Sequence, residues 1–321
     1  MDIQGGFMGY RRCGVIHAYS EVDAKDTQGC LLPIGHEGPH EFVTSDGRRF
    51  QWETDLECDC EHCMQAQGDY CTTYWEVAST PNSVVPPFCV SLTGADDEVS
   101  PDALLALQER FPSVEWALLY LPEKEGQPRN PTTAWRGLFL DVCAGAHTAL
   151  HLCGTQVFRG ILSGVIPDEF ARYGRLQLNI NARRQEFTDL EVLAVYTALL
   201  DAGHRLILQC HEATEPLIVE FLQGLRTSQY IDRVDVLFDA SRGKGQQPEA
   251  WPAGHQFLAG TRCGYAGGLA PDNVAENLTK IQERRGQLGA YWLDMESGVR
   301  TDNRFDLHKV EQVLQSVFKG E

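Results

Sequence analysis

Eight side chains near the amino terminus have the types and spacings that bind a metal. Cys13 is followed by Cys30-x5-His36-x3-His40, and then by Cys58-x-Cys60-x2-Cys63-x7-Cys71. Zinc takes four thiolate or imidazole ligands in a tetrahedron, and short turns bring sequence neighbours to a common point. One set would be Cys13, Cys30, His36 and His40, with His17 as a competitor; the other would be Cys58, Cys60, Cys63 and Cys71, with His62 in reserve. Four protein ligands close the shell, so the expected role is structural, with up to two zinc ions. A redox role for Cys60-Glu61-His62-Cys63 is the weaker alternative, because that pair lacks a thioredoxin-like setting.

A second group of chemistry-bearing residues falls where apolar runs end. These are Thr93, His151, Cys153, Asn179, Asn181, His211, Glu212, Asp239, Asp294 and Glu296. Carboxylates and imidazoles such as Asp239 and His211 suit proton transfer, provided that the fold aims them at one point. Gly267-Gly268 and Ser297-Gly298 suit close approach of an anion to backbone amides. Asn179 and Asn181 share one strand face, where asparagine either binds a ligand or ties loops together. His151 faces inward by alternation, which more often marks a satisfied core histidine than a base.

The elements that must position this second group alternate regularly. The strand candidates are Phe88–Thr93, Glu115–Leu121, His147–Cys153, Arg175–Asn181, Arg205–Cys210, Val234–Phe238, Gln256–Ala259 and Ala290–Asp294. Helical patterns separate and follow them: 101–111, 132–144, 156–162, 188–202, 215–225, 272–285 and 306–318, with a weak one at 248–251. Eight strand-then-helix units predict a closed parallel (β/α)8 barrel, a TIM barrel of the α/β class, with its site at the carboxyl ends of the strands. An open doubly wound sheet would carry a glycine-rich dinucleotide turn after its first strand. Here that turn reads Thr93-Gly94-Ala95-Asp96-Asp97-Glu98, acidic and unsuited to a pyrophosphate.

The first 78 residues differ from the rest in composition. They hold five basic and fourteen acidic residues and seven of the first 89 residues are cysteine, out of eleven in the chain. So little aliphatic content can hardly build a core unaided, which again points to metal. The expected organisation is a Cys/His-rich head over 1–78, a linker over 79–83 and the barrel over 84–321. The whole chain of 321 residues has 27 Lys and Arg against 45 Asp and Glu, a formal charge of −18. That balance disfavours nucleic acid and anionic lipid as partners. With no apolar run near membrane length, no signal-like start and many thiols, a cytoplasmic location is expected. An acidic head could dock a protein partner.

Several stretches, in order, resemble the phosphoribosylanthranilate isomerase family over roughly residues 84–318. Ala266-Gly267-Gly268-Leu269-Ala270-Pro271-Asp272-Asn273-Val274 is similar to its phosphate loop and helix start. Leu293-Asp294-Met295-Glu296-Ser297-Gly298-Val299 is similar to its last strand and loop. Phe238-Asp239 with Gly243 and Gly245, Leu150-His151-Leu152-Cys153-Gly154, and Leu121-Pro122 followed by Pro128-Arg129 match more weakly. The chain looks more like isomerase-like relatives than like the tryptophan-pathway enzyme. The resemblance implies an Amadori rearrangement of an aminoaldose. It gives Asp239 the role of general acid and Arg129 that of holding a substrate carboxylate. It places a phosphate near Gly267, Gly268, Ser297 and Gly298. Two positions depart from the family: Thr93 stands where its cysteine base would be, and Glu296 where a small hydroxyl residue lies beside the phosphate. Glu296 would repel phosphate unless Arg300 or Arg262 neutralised it. Two function classes follow. One is a sugar-phosphate-like isomerase or lyase using Asp239, Thr93 and His211 with Arg129, Asn179, Gly267, Gly268, Glu296, Ser297, Gly298 and Arg300 around the substrate. The other is a non-catalytic ligand-binding or interaction barrel with a zinc-stabilised docking head.

Overall fold

The computed structural model describes residues 40–43, 49–55, 71–77, 86–180, 186–225, 228–239, 246–252, 261–285 and 290–318. The chain divides into two compact units, one holding residues 1–84 and the other most of the chain from Val85 onward.

The first unit contains an antiparallel sheet of β1 (His40–Val43), β2 (Arg49–Asp55) and β3 (Cys71–Val77), in the order β1-β2-β3. Its register sets Phe42 opposite Phe50, and Trp52 opposite both His40 and Tyr74. Aromatic and β-branched residues favour such pairing. These strands were not anticipated from sequence, where the cysteines dominated the pattern. Cys13, Cys30, His36, Cys58, Cys60 and Cys63 lie outside the described residues.

The second unit is a closed barrel of eight parallel strands. They are β4 (Cys89–Thr93), β5 (Val114–Tyr120), β6 (His147–Leu152), β7 (Arg175–Leu178), β8 (Leu206–Cys210), β9 (Val234–Asp239), β10 (Cys263–Ala266) and β11 (Tyr291–Met295). The described helices are α1 (Pro101–Arg110), α2 (Thr133–Val142), α3 (Thr155–Leu162), α4 (Asp189–Asp201), α5 (Glu215–Leu225), α6 (Val274–Arg285) and α7 (Leu307–Val317). Each expected strand is found within a few residues of its place, except the seventh. That strand is β10, not Gln256–Ala259, which lies outside the described residues. The segment 246–252, where a weak helix was expected, contains no helix.

Local chemistry explains the helix starts. Thr188 and Glu191 form a reciprocal capping box at α4, and the Asp306 carboxylate accepts from two backbone amides of α7. On α4 the buried residues Val192, Val195, Tyr196, Leu199 and Leu200 recur at helical spacing and face the barrel.

Inside the barrel, Cys89, Ala117, Ala149, Ile207, Leu237, Ala266 and Trp292 form one apolar cluster. Trp292 fits because its register partner is Gly264, where a Cβ would fall 2.2 Å from the indole. This explains why β10 was hard to see: its glycine is required by the core yet lowers strand propensity.

Toward the amino ends of the strands the interior is charged. Arg175 donates to both Glu115 carboxylate oxygens at 2.9 and 2.6 Å and to Asp235 at 3.0 Å. Arg262 holds Asp235 with two bonds, and Arg205 adds a third contact at 3.3 Å. The Arg175 guanidinium also lies over the Trp292 ring, 4.3 Å from its centroid. Burial works against its charge, but Glu115 and Asp235 more than offset this, so its pKa is raised.

Candidate active site at the barrel mouth

At the carboxyl ends the interior becomes polar again. Asp239 ends β9 and is buried; its carboxylate accepts from the side-chain amide of Gln209, on β8, at 2.7 Å. Asp294 lies on β11, half-buried, and accepts from the Thr93 hydroxyl at 3.1 Å. Ala266 is the register partner of both aspartates. Two strand spacings therefore separate their Cα atoms, about 9–10 Å, with both side chains on the inner face. Desolvation is the main reason that the Asp294 carboxyl is pushed up to about 7, and the negative charges of Asp239 and Glu296 add to it, while the bond from Thr93 works against it. A carboxyl poised there can give or take a proton at neutral pH.

Further polar groups lie deeper: His151, and Ser91 and Gln177, which no sequence signal singled out. Ser91 is the register partner of Asp294, and Gln177 that of His151; all but Asp294 are buried. Ser91 Oγ, His151 Nε2 and Gln177 Oε1 have no hydrogen-bond partner among the described residues. Buried polar atoms in that condition call for an ordered water or a ligand. Burial, and then the Arg175 charge, pushes the His151 imidazole down to about 3, so it is a neutral group and not a neutral-pH base.

The remaining expected residues separate into those at the mouth and those bound into its frame. Asn179 is tied on both sides: its amide donates to Cys153 Sγ at 3.3 Å and its carbonyl accepts from Gln177 at 2.9 Å. Burial pushes the Cys153 thiol up to about 11, so it does not substitute for a thiolate base. His211 Nδ1 accepts from the backbone of Ala213, and its own N–H donates to Thr214, which orients the ring within the turn before α5.

Glu296 forms an ion pair with Arg129 at 2.7 Å, and the Arg300 charge also lies close enough to act on it. Arg262 serves Asp235 at the opposite end. Arg300 is buried and bonds the carbonyls of Gly94 and Asn303, with Asp96 at 3.5 Å. Asp96 is a further residue of the frame around the mouth that sequence reasoning missed, because its partners are distant in the chain. It is buried, and it accepts the Arg129 backbone N–H at 2.6 Å.

The glycines have a packing role. A Cβ on Gly268 would come within 2.5 Å of Gln247 N, and one on Gly298 within 1.9 Å of the Leu269 carbonyl oxygen. Asn273 stitches the same loop, accepting from Ala270 N and donating to the Gly268 carbonyl, both at 2.9 Å. Ser297 is exposed at the start of a single 3-10 turn, Ser297–Val299. Among the described residues, no three His, Cys, Asp or Glu side chains are grouped as a metal site, and no helix is long and apolar enough to cross a membrane.

Comparison with known proteins adds a local similarity. The model of a family described as N-(5'phosphoribosyl)anthranilate (PRA) isomerase matches residues 203–316. That stretch runs from just before β8 into α7, includes Asp239, Gly267, Gly268, Asp294 and Glu296, and is well under half of the chain. No curated protein matches. Among solved structures, N-(5'-phosphoribosyl)anthranilate isomerase from Pyrococcus furiosus is similar at 16% identity and a TM-score of 0.43, covering 72% of this chain and 99% of its own. Triosephosphate isomerase from Bartonella henselae is similar at 11% identity, with the same coverage and a TM-score of 0.43.

Proposed function

We propose that the barrel catalyses proton transfer on a small sugar-like substrate, an isomerase or lyase reaction at the mouth, with Asp239 and Asp294 as its acid and base. The observation that carries this reading is the Asp294 carboxyl, held by Thr93, coupled to Asp239 and titrating near neutrality. In an aldose–ketose conversion one group protonates the ring oxygen and another removes the proton from the adjacent carbon. Asp239 donates, as the sequence resemblance implies, and Asp294 accepts the carbon-bound proton. Thr93 is then a positioning residue, since an unassisted threonine hydroxyl is far too weak a base. The unpartnered Ser91, His151 and Gln177 atoms support a polar, hydroxyl-bearing ligand. The family match over residues 203–316 supports a phosphate on that ligand, seated beside Gly267, Gly268 and Gly298.

Solvent deuterium entering the carbon next to the carbonyl of aldoses, aminoaldoses and their phosphates, followed by NMR in D2O, tests this directly. Wild type is expected to exchange at least one class. Asp239→Asn and Asp294→Asn should each lower the rate by about 100-fold or more, the usual scale for a positioned acid or base. The rate should rise with pH through about 7 as Asp294 ionises. Binding without exchange, unaffected by either variant, would favour the ligand-binding alternative, for which the internal occupation of Arg129 by Glu296 speaks.

The same proposal assigns the head a structural zinc centre. β2 ends at Asp55 and β3 begins at Cys71, so the connection between these paired strands carries Cys58, Cys60 and Cys63. β1 begins at His40, at the same end of the sheet. Such a donor set fits zinc. Up to two zinc equivalents per chain by elemental analysis are expected, with one fewer in Cys63→Ser.

A further inference from the structure

We propose that Glu296 is a built-in occupant of the anion position on Arg129, so that the mouth selects a substrate bearing a neutral group there and rejects one bearing a carboxylate. This rests on the mouth being the substrate site, as argued above.

Arg129 is held in place more firmly than a surface arginine. Its backbone adopts φ +74, a left-handed conformation that costs a non-glycine residue about 1 kcal/mol or more. The conformation is fixed by the bond from its N–H to buried Asp96 and by the bond from its Nε to Asn303 at 3.0 Å. The guanidinium is thus pre-set, and its Nη1 points to Glu296 Oε1 at 2.7 Å. Both side chains remain about one-third exposed, at 34% and 31%, so the pair faces the solvent from which a substrate comes.

The pair stands next to the proton-transfer residues. A Cβ placed on Gly94, the residue after Thr93, would lie 3.5 Å from Glu296 Cγ and 3.9 Å from Arg129 Cβ. Glu296 also acts on Asp294, two residues away, as one of the charges that raise its pKa. An oriented guanidinium fork is the natural receptor for a carboxylate. Here the chain itself supplies that carboxylate. An acidic substituent would have to displace Glu296 and would leave it unpaired beside Asp294. A hydroxyl or amide group meets no such conflict and can bond to the exposed side of the pair.

The test uses benzoate and its neutral isostere benzamide as probes, with binding to the full-length protein followed by calorimetry and by the Arg129 Nε–H signal in NMR. Wild type is expected to show no preference for benzoate. Glu296→Gln keeps the side-chain shape and frees the guanidinium, so benzoate should bind at least tenfold tighter than to wild type and shift the Arg129 signal, with benzamide unchanged. Adding Arg129→Gln to Glu296→Gln should abolish the gain. The proposal is overturned if wild type already prefers benzoate through Arg129, or if Glu296→Gln, shown by circular dichroism to be folded, gains nothing. No arm depends on turnover, so failure of the proton-transfer reading, seen in the deuterium experiment, is separable from failure of this one.

Discussion

The two ends of the barrel bury charge in opposite ways. At the amino ends of the strands, Glu115 and Asp235 are met by Arg175, Arg205 and Arg262, and the aromatic faces of Phe88 and Trp292 cover the guanidinium groups. At the carboxyl ends, Asp239 and Asp294 accept from an amide and a hydroxyl, and among the described residues Arg129 and Arg300 are committed to Glu296, Asp96 and backbone carbonyls. Saturated charge locks a structure, because every change of protonation or position breaks several bonds. The Asp294 carboxyl, pushed up to about 7, is available for chemistry. Single strands serve both ends: β9 carries Asp235 in the lower network and Asp239 in the upper one, and on β11 Trp292 covers the lower network while Asp294 belongs to the upper one.

The contrast can be broken most strongly at the lower end. Arg175→Met should leave Glu115 and Asp235 short of a cation and lower stability by about 3–5 kcal/mol, read by urea denaturation. A loss below about 1 kcal/mol would mean that Arg205 and Arg262 suffice alone, and that the two ends differ less than the contacts indicate. The apolar layer between the ends comes next. Gly264→Ala would overlap the Trp292 ring and should cost about 1–3 kcal/mol, with a change in tryptophan fluorescence as the ring moves.

At the upper end the sign reverses. Asp294 has its folded pKa raised, to about 7 from an ordinary 3.8. Between those values the unfolded chain has released a proton that the folded chain keeps, so this group makes stability fall as pH rises toward 7, and above 7 its full cost is present. Asp294→Asn removes the charge while keeping an oxygen to accept from Thr93. It should therefore raise stability at pH 8 by about 1–2 kcal/mol, after discounting for its partial exposure, while turnover is lost. A stability loss at pH 8 would place Asp294 with the structural charges of the other end. Smallest in energy is Thr93→Val. It removes a bond that lowers the Asp294 pKa, so the carboxyl should titrate higher in a carbon-13 NMR experiment, with stability changed by less than about 1 kcal/mol.

The alternation of apolar runs and amphipathic stretches was legible because both faces of a parallel barrel strand are covered, which leaves short continuous hydrophobic segments. The strand ends followed from that, and with them Asp239, Asn179 and Thr93 as mouth residues. What sequence could not supply was pairing at long range. Arg129 and Glu296 lie 167 residues apart, and Thr93 and Asp294 lie 201 apart, so neither pair has a local signature. β10 was misplaced because the stronger-looking apolar run Gln256–Ala259 precedes it, while its own glycine answers to a tryptophan on another strand. The strands of the head were hidden for a different reason. β2 does alternate, with Phe50 and Trp52 between polar neighbours, but β1 and β3 do not repeat the pattern, so the period-two signal is confined to one short run.

The fit of Trp292 over Gly264 also bears on how this barrel can have been inherited. A change at either position alone is costly: any side chain at Gly264 collides with the ring, and a smaller residue at Trp292 leaves a void above Arg175. Replacing the two together relieves the conflict. The pair is therefore expected to vary together, and less freely than the mouth residues and loops, so that it would mark chains sharing this core whatever their substrate.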